Sequence, residues 1–151
     1  RTAGFLALES GIAGGAEELV IPEEEVSIDR ISDRIRAGFT TGKKSAIVVV
    51  AEGKTPGISF EIAREIGEQL SVDPRVVVLG HLQRGGPPTM RDRVLGSLLG
   101  VAAVEALLEG RNGCMVGEIG GDLRCTPLDE TWQKKKPLNE NFLRIFSFLS
   151  E

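Results

Sequence analysis

Apolar positions recur along the chain with two periods, one fitting amphipathic helices and one fitting strands buried on both sides. Phe5, Leu8 and Ile12 share a helical face, and "GIAGGA" predicts a stop at Gly14 or Gly15. "ELVIP" reads as a short apolar strand closed by Pro22. Ile28, Ile31, Ile35 and Phe39 predict an amphipathic helix whose opposite face holds Arg30, Asp33, Arg34 and Arg36. The unbroken apolar run of "SAIVVVAEG" predicts a strand covered on both faces. Ser59 stands where it can cap a helix that buries Ile62, Ile66 and Leu70. "RVVVLG" predicts another fully buried strand. After "GGPPT" a long helix turns Leu95, Leu98, Leu99, Ala102, Ala106 and Leu107 inward and stops at Gly110. "CMVGEIGGDLRCT" predicts a hairpin turning at Gly120–Gly121. A short helix around 129–136 ends before Pro137, and Phe142, Ile145, Phe146 and Leu149 mark the last helix.

Strands alternating with helices predict an α/β fold, a layered and largely parallel sheet with helices on both faces. The ligand crevice of such folds lies beyond the carboxyl ends of the strands. With 151 residues, 41% of them hydrophobic, the chain has material for one sizeable core. The formal charge of -4 offers no basic excess to neutralise phosphates, which argues against a nucleic-acid or membrane-surface binder. Cys114 and Cys125 are too few for a disulfide framework and lack metal-site spacing, so a reducing compartment is expected. No apolar run reaches the roughly 20 residues of a membrane span, and no signal peptide is visible. The chain opens on Arg1 without a methionine and reads as the interior of something longer.

Two strand ends carry candidate chemistry. Glu52 follows "IVVVA", where a carboxylate can accept hydrogen bonds from sugar hydroxyls or simply be solvated. His81 and Arg84, three residues apart, leave the end of "VVVLG". A guanidinium fork matches two phosphate oxygens, the imidazole adds a donor, and Gly85 and Gly86 let backbone N–H groups approach an anion. A structural turn with a surface arginine explains the glycines and prolines but not two cationic donors. Arg75 opens the same predicted strand, about 16 Å from His81. It is therefore a surface residue or serves the pocket of a neighbouring subunit. In "TTGKKSA" only three residues separate Gly38 from Gly42 where a P-loop has four, and a strand follows instead of preceding. That motif is rejected, and Lys43 with Lys44 reads as a solvated pair or a small anion patch.

In order and spacing, "GIAGGAEELVIPE", "GKKSAIVVVAEG", "VVVLGHLQRGGPPTMRDRVLG" and "PLDETWQKKKPLN" resemble the carboxyl-terminal half of bacterial-type 6-phosphofructokinases. The resemblance implies an incomplete phosphofructokinase-like fold and the transfer of phosphate to the 1-hydroxyl of fructose 6-phosphate, with Mg²⁺ and usually ATP. It implies substrate-binding roles for Arg1, Glu52, Arg75, His81, Leu82, Gln83 and Arg84. Arg1 matches the end of an M-G-R segment whose Met and Gly are absent here, and Arg75 matches an arginine reaching the adjacent subunit's 6-phosphate. It further implies a cytoplasmic, glycolytic homotetramer, with an effector site for ADP or phosphoenolpyruvate at Gly15, Ala16, Glu17, Thr41, Lys43, Lys44 and Ser45. Thr41 and Ser45 lack the cationic or imidazole side chains often found there, which implies a weak or absent response.

The family's G-G-D and T-I-D segments do not occur, and "IGGDL" at 119–123 lies in the predicted hairpin. No catalytic residue and no metal ligand is therefore expected in this chain, and the sites for Mg²⁺ and ATP are expected mainly outside it. The implied layout is a sugar-phosphate domain over 1–84, a return to the nucleotide-binding domain over 85–136, and a helix crossing back over 137–151. A pyrophosphate-dependent relative and a non-catalytic phosphosugar or nucleotide sensor are the competing readings.

Overall fold

The structure, a computed structural model, describes residues 2–25 and 27–150. Arg1–Val78 with Leu138–Glu151 form one compact unit, and Leu79–Pro137 form another. The sequence reading put these crossings after Arg84 and Lys136.

The first unit is built on two short parallel strands. β1 (Glu18–Val20) pairs with β2 (Val48–Val50), Leu19 lying opposite Val49, and the Ala51 N–H donates to the Val20 carbonyl at 2.7 Å. Period-two alternation sends their side chains to two faces. On one face Leu19, Ile21 and Val49 meet Leu8 of α1 (Phe5–Gly14) and Phe146 of α6 (Glu140–Leu149). On the other, Val20, Val48 and Val50 meet Ile31 and Ile35 of α2 (Ile28–Thr40) and Ile62 and Ile66 of α3 (Ile58–Leu70). Helices thus cover both faces of a parallel ladder, as the apolar runs require.

Some details depart from the pattern. Ser59 does not cap α3: Gly57 occupies that position, and Ser59 lies inside the helix. On α6 Phe142, Leu143 and Phe146 pack inward, whereas Ile145 and Leu149 face solvent. Arg34 and Arg30, expected on the polar face of α2, turn toward Glu18. This carboxylate is 1% exposed, with Arg34 Nη1 at 2.8 Å and Arg30 Nη2 at 3.6 Å. The Arg34 contact is ionic and out of line for a hydrogen bond to Glu18 Oε1. Arg34 Nη1 instead donates to Ser150 Oγ at 3.1 Å, joining β1, α2 and the end of α6.

The largest departure is the run 76–79, which forms no strand. Val77 and Val78 are 77% and 68% exposed. A β-branched run favours a pleated surface, but it becomes a strand only where a neighbour completes the hydrogen-bond ladder. No described strand pairs with it.

In the second unit α4 (Met90–Leu108) turns Leu95, Leu99, Ala102 and Ala106 toward cover, while Leu98 and Leu107, expected inward, are exposed. β3 (Cys114–Ile119) and β4 (Asp122–Pro127) form the expected hairpin, turning at Gly120–Gly121, both at positive φ. Cys114 and Cys125, read as too few for a disulfide framework and placed in a reducing compartment, are joined as a disulfide across it, their Cα atoms 5.8 Å apart. The hairpin register sets them diagonally, Cys125 opposite Val116, and residue spacing alone does not specify that register. α5 (Glu130–Gln133) ends before Pro137.

A reciprocal capping box starts α4. Thr89 Oγ1 accepts from the Asp92 N–H at 3.3 Å, and Asp92 Oδ2 accepts from the Thr89 N–H at 2.7 Å. The Thr89 backbone N–H first, and its hydroxyl second, hold the Asp92 carboxyl below its ordinary value. A depressed carboxylate stabilises the fold above its unfolded value and loses that contribution as pH falls through the folded one. The first turn of α4 is therefore expected to loosen only at pH below the usual aspartate range. Thr89→Ala is expected to raise the Asp92 titration midpoint, read by carboxyl NMR; an unmoved midpoint would contradict the box.

Candidate functional site

The parallel ladder separates the candidate residues into two groups. At the carboxyl ends of the strands lie Pro22 and Glu23, following β1, and Glu52 and Gly53, following β2. Glu52 is half-buried, and its Oε1 accepts from the Gly57 N–H, so the carboxylate holds the loop that launches α3. Both Glu23 oxygens accept from the Gly4 N–H, at 2.9 and 3.0 Å. Arg1, assigned to the sugar phosphate by resemblance, lies outside the described residues.

Gly15, Ala16 and Glu17 precede β1, and Thr41, Lys43, Lys44 and Ser45 precede β2, so all seven stand at the amino ends of the strands. Glu17 and Lys43 are brought together, with Nζ at 3.6 Å from Oε1. Glu17 Oε2 also accepts from the Ile47 N–H at 2.6 Å. Lys44 and Ser45 are exposed, and Thr41 Oγ1 donates to the Gly38 carbonyl at 2.9 Å.

His81, Leu82, Gln83 and Arg84 belong to the second unit. They form a single 3₁₀ turn, Gly80–Arg84, closed by the Leu82 N–H to the Leu79 carbonyl at 3.0 Å and the Gly85 N–H to the Leu82 carbonyl at 3.1 Å. Gly80 and Gly85 bracket the turn at φ 52° and 81°, a conformation that favours residues without a Cβ. With three residues per turn, side chains at i and i+3 eclipse, which sets His81 and Arg84 on one side. Both are exposed, and no described residue pairs with either. Gly86, expected to share the backbone role of Gly85, is not at positive φ. Arg75, exposed and likewise without a described partner, stays in the first unit. Because 76–79 is not a strand, the rise per strand residue no longer measures its distance from His81.

Sequence reasoning missed Glu18 and Glu23. A carboxylate inside the apolar run "ELVIP" was the signal for the first, and an acidic residue directly beyond a strand's carboxyl end was the signal for the second. Among the described residues, no three His, Cys, Asp or Glu side chains converge as a metal site. No described helix is long and apolar enough to cross a membrane.

The phosphofructokinase family model matches residues 1–107. Over 150 residues the chain is 49% identical to ATP-dependent 6-phosphofructokinase 1 of Thermus thermophilus, covering 99% of this chain and 47% of that protein. It is 45% identical over 150 residues to ATP-dependent 6-phosphofructokinase of Bacillus pumilus, covering 99% and 46%. The chain thus spans about half the length of the curated relatives it matches. The crystal structure of Pichia pastoris phosphofructokinase in the T-state superposes with a TM-score of 0.72 at 34% identity, covering 86% of this chain and 15% of that one. A helix-sandwiched parallel ladder, the match over 1–107 and these identities lead to one conclusion: the chain belongs to the phosphofructokinase family.

Proposed function

We propose that this chain supplies the sugar-phosphate half of an ATP-dependent 6-phosphofructokinase, which phosphorylates the 1-hydroxyl of fructose 6-phosphate. The observation carrying this reading is the 3₁₀ turn that carries His81 and Arg84 three residues apart, both exposed and with no described partner. A phosphate dianion needs such a pair: the guanidinium fork takes two oxygens and the imidazole a third. By resemblance, Leu82 and Gln83 share the substrate-binding role of this turn, Glu52 is assigned to the sugar hydroxyls, Arg1 to the sugar phosphate, and Arg75 to the 6-phosphate of an adjacent subunit.

In the proposed enzyme these residues bind and orient the acceptor. Phosphoryl transfer is mostly positioning and charge stabilisation, so a fixed 6-phosphate sets where the 1-hydroxyl stands. Among the described residues no three His, Cys, Asp or Glu side chains converge to hold Mg²⁺. Mg²⁺, ATP and the group that accepts the hydroxyl proton belong to the other half. The relatives' shared description as ATP-dependent supports ATP over pyrophosphate. Residues 1–84 are assigned to the sugar-phosphate domain, 85–136 to the nucleotide-binding domain and 137–151 to a returning helix, in a homotetramer.

A chimera tests this directly. With this chain replacing the aligned 150 residues of the Thermus thermophilus relative, turnover of fructose 6-phosphate with ATP is expected. Adding ADP or phosphoenolpyruvate is expected to change its velocity little, because Thr41 and Ser45 offer no cation and Glu17 is already engaged by Lys43 and Ile47. A folded chimera that fails to bind fructose 6-phosphate would overturn the sugar-phosphate reading.

A further inference from the structure

We infer that the Cys114–Cys125 disulfide is a reversible redox clamp, through which low-molecular-weight thiols and disulfides set how firmly the open end of the hairpin holds α5. Both cysteines lie in the second unit, and the register of the hairpin places them. Cys114 stands opposite Pro127 and Cys125 opposite Val116, so strand alternation puts all four side chains on one face. The bond therefore runs diagonally across the intervening Met115–Thr126 rung. Its Cα atoms are 5.8 Å apart, inside the range that a disulfide spans.

What lies just outside the bond decides what it controls. One rung beyond Cys114, the Leu128 N–H donates to the Gly113 carbonyl at 2.9 Å. The Leu128 carbonyl accepts from the Thr131 N–H at 3.0 Å and from the Thr131 hydroxyl at 2.6 Å. Leu128 thus belongs to the hairpin through its N–H and to the start of α5 through its carbonyl. The outer rungs of a two-stranded ribbon open readily, since a hairpin by itself is only marginally stable in water. A cross-link one rung inside restrains that opening and, through Leu128, the start of α5.

The chemistry closes without a further component. Both cysteines are half-buried, which leaves a small reagent access to sulfur. With a low-molecular-weight disulfide of the glutathione class, one cysteine thiolate attacks a reagent sulfur and expels a thiol. The second thiolate then attacks the mixed disulfide, forming the protein bond and expelling the other thiol. The protein sulfurs lose two electrons and two protons, and the reagent gains them. Two molecules of the reduced reagent reverse the sequence. The chain has two cysteines, so no third thiol within it competes.

The test equilibrates this chain in buffers of graded reduced-to-oxidised glutathione ratio and counts thiols by iodoacetamide labelling and mass spectrometry. No label is expected at the oxidising end and two at the reducing end, with one curve reached from either direction. Two labels throughout would show that no bond forms, and none throughout that it is permanent; either overturns the inference. Hydrogen exchange reads the consequence for α5. Reduction is expected to speed exchange at the Leu128 and Thr131 amides about 30-fold, near the lower end of what a loop-closing disulfide contributes. The Ala51 amide, in the first unit, is expected not to respond. Equal exchange at Leu128 and Thr131 in both states means that the bond clamps nothing, and the inference is lost. Cys114→Ser combined with Cys125→Ser is expected to match the reduced chain at every ratio, and a response to glutathione in that variant would contradict the assignment. Should the double variant not fold, the reduced unaltered chain carries the comparison with the same two outcomes.

Discussion

Arg84→Ala is expected to weaken fructose 6-phosphate binding about 30- to 1,000-fold, equivalent to about 2–4 kcal/mol. The magnitude follows from geometry and charge. Arg84 stands on a turn with His81 as its eclipsed neighbour, and no described acid neutralises it. Its positive charge is therefore not committed to any described residue, and a dianion arriving there meets an available bidentate donor. Arg84→Lys separates the two contributions. It keeps the charge and loses the planar fork, so an intermediate loss is expected. His81→Ala is expected to cost less, since a single donor is removed and the guanidinium remains. Titration of the Thermus chimera with fructose 6-phosphate at constant ATP reads all three; an unchanged requirement in Arg84→Ala would remove the basis of the proposed site.

Arg34→Ala is expected to destabilise the first unit by about 3 kcal/mol, a large share of the roughly 5–15 kcal/mol that holds a domain folded. Glu18 lies inside β1 at 1% exposure, and Arg34 Nη1 at 2.8 Å is its nearest cation. Removing that cation leaves a buried carboxylate with, among the described residues, only Arg30, 3.6 Å away and more than half exposed. The destabilisation arises from the stranded charge rather than from any large net worth of the pair. Replacing both partners at once, Glu18→Leu with Arg34→Leu, is therefore expected to return stability to within about 1 kcal/mol of the original. Hydrogen exchange at the β1–β2 ladder amides, including Ala51, reports the change locally. A loss under 1 kcal/mol in Arg34→Ala would mean that water reaches Glu18.

Much of the first unit was legible because burial there obeys simple periods. The run at 48–51 alternates between two helix-covered faces, so an unbroken apolar stretch had to be a sandwiched strand. Ile31 and Ile35 repeat with the helical period and fall inward. The same rule failed at 76–79, where composition matched a buried strand but no described strand pairs with it. It half failed on α4 and α6, whose apolar residues extend round more of the helix than their described neighbours cover.

The candidate site divides in the same way. Residue types and spacing were enough to single out His81 and Arg84, because cations three apart after an apolar run are a local feature. Their eclipse was not local information: it depends on the backbone closing as a 3₁₀ turn between two glycines at positive φ. Glu23 reaching Gly4, and Glu18 reaching Arg34, join residues 19 and 16 positions apart. Side-chain period and residue chemistry are written along the chain, so the sequence by itself determined the α/β class, the sandwiched ladder and the cationic turn. Pairings across distance exist only once β1 is packed beside its neighbours. Tertiary structure alone therefore decided which carboxylates were buried, which cations they neutralised and which loops they held still.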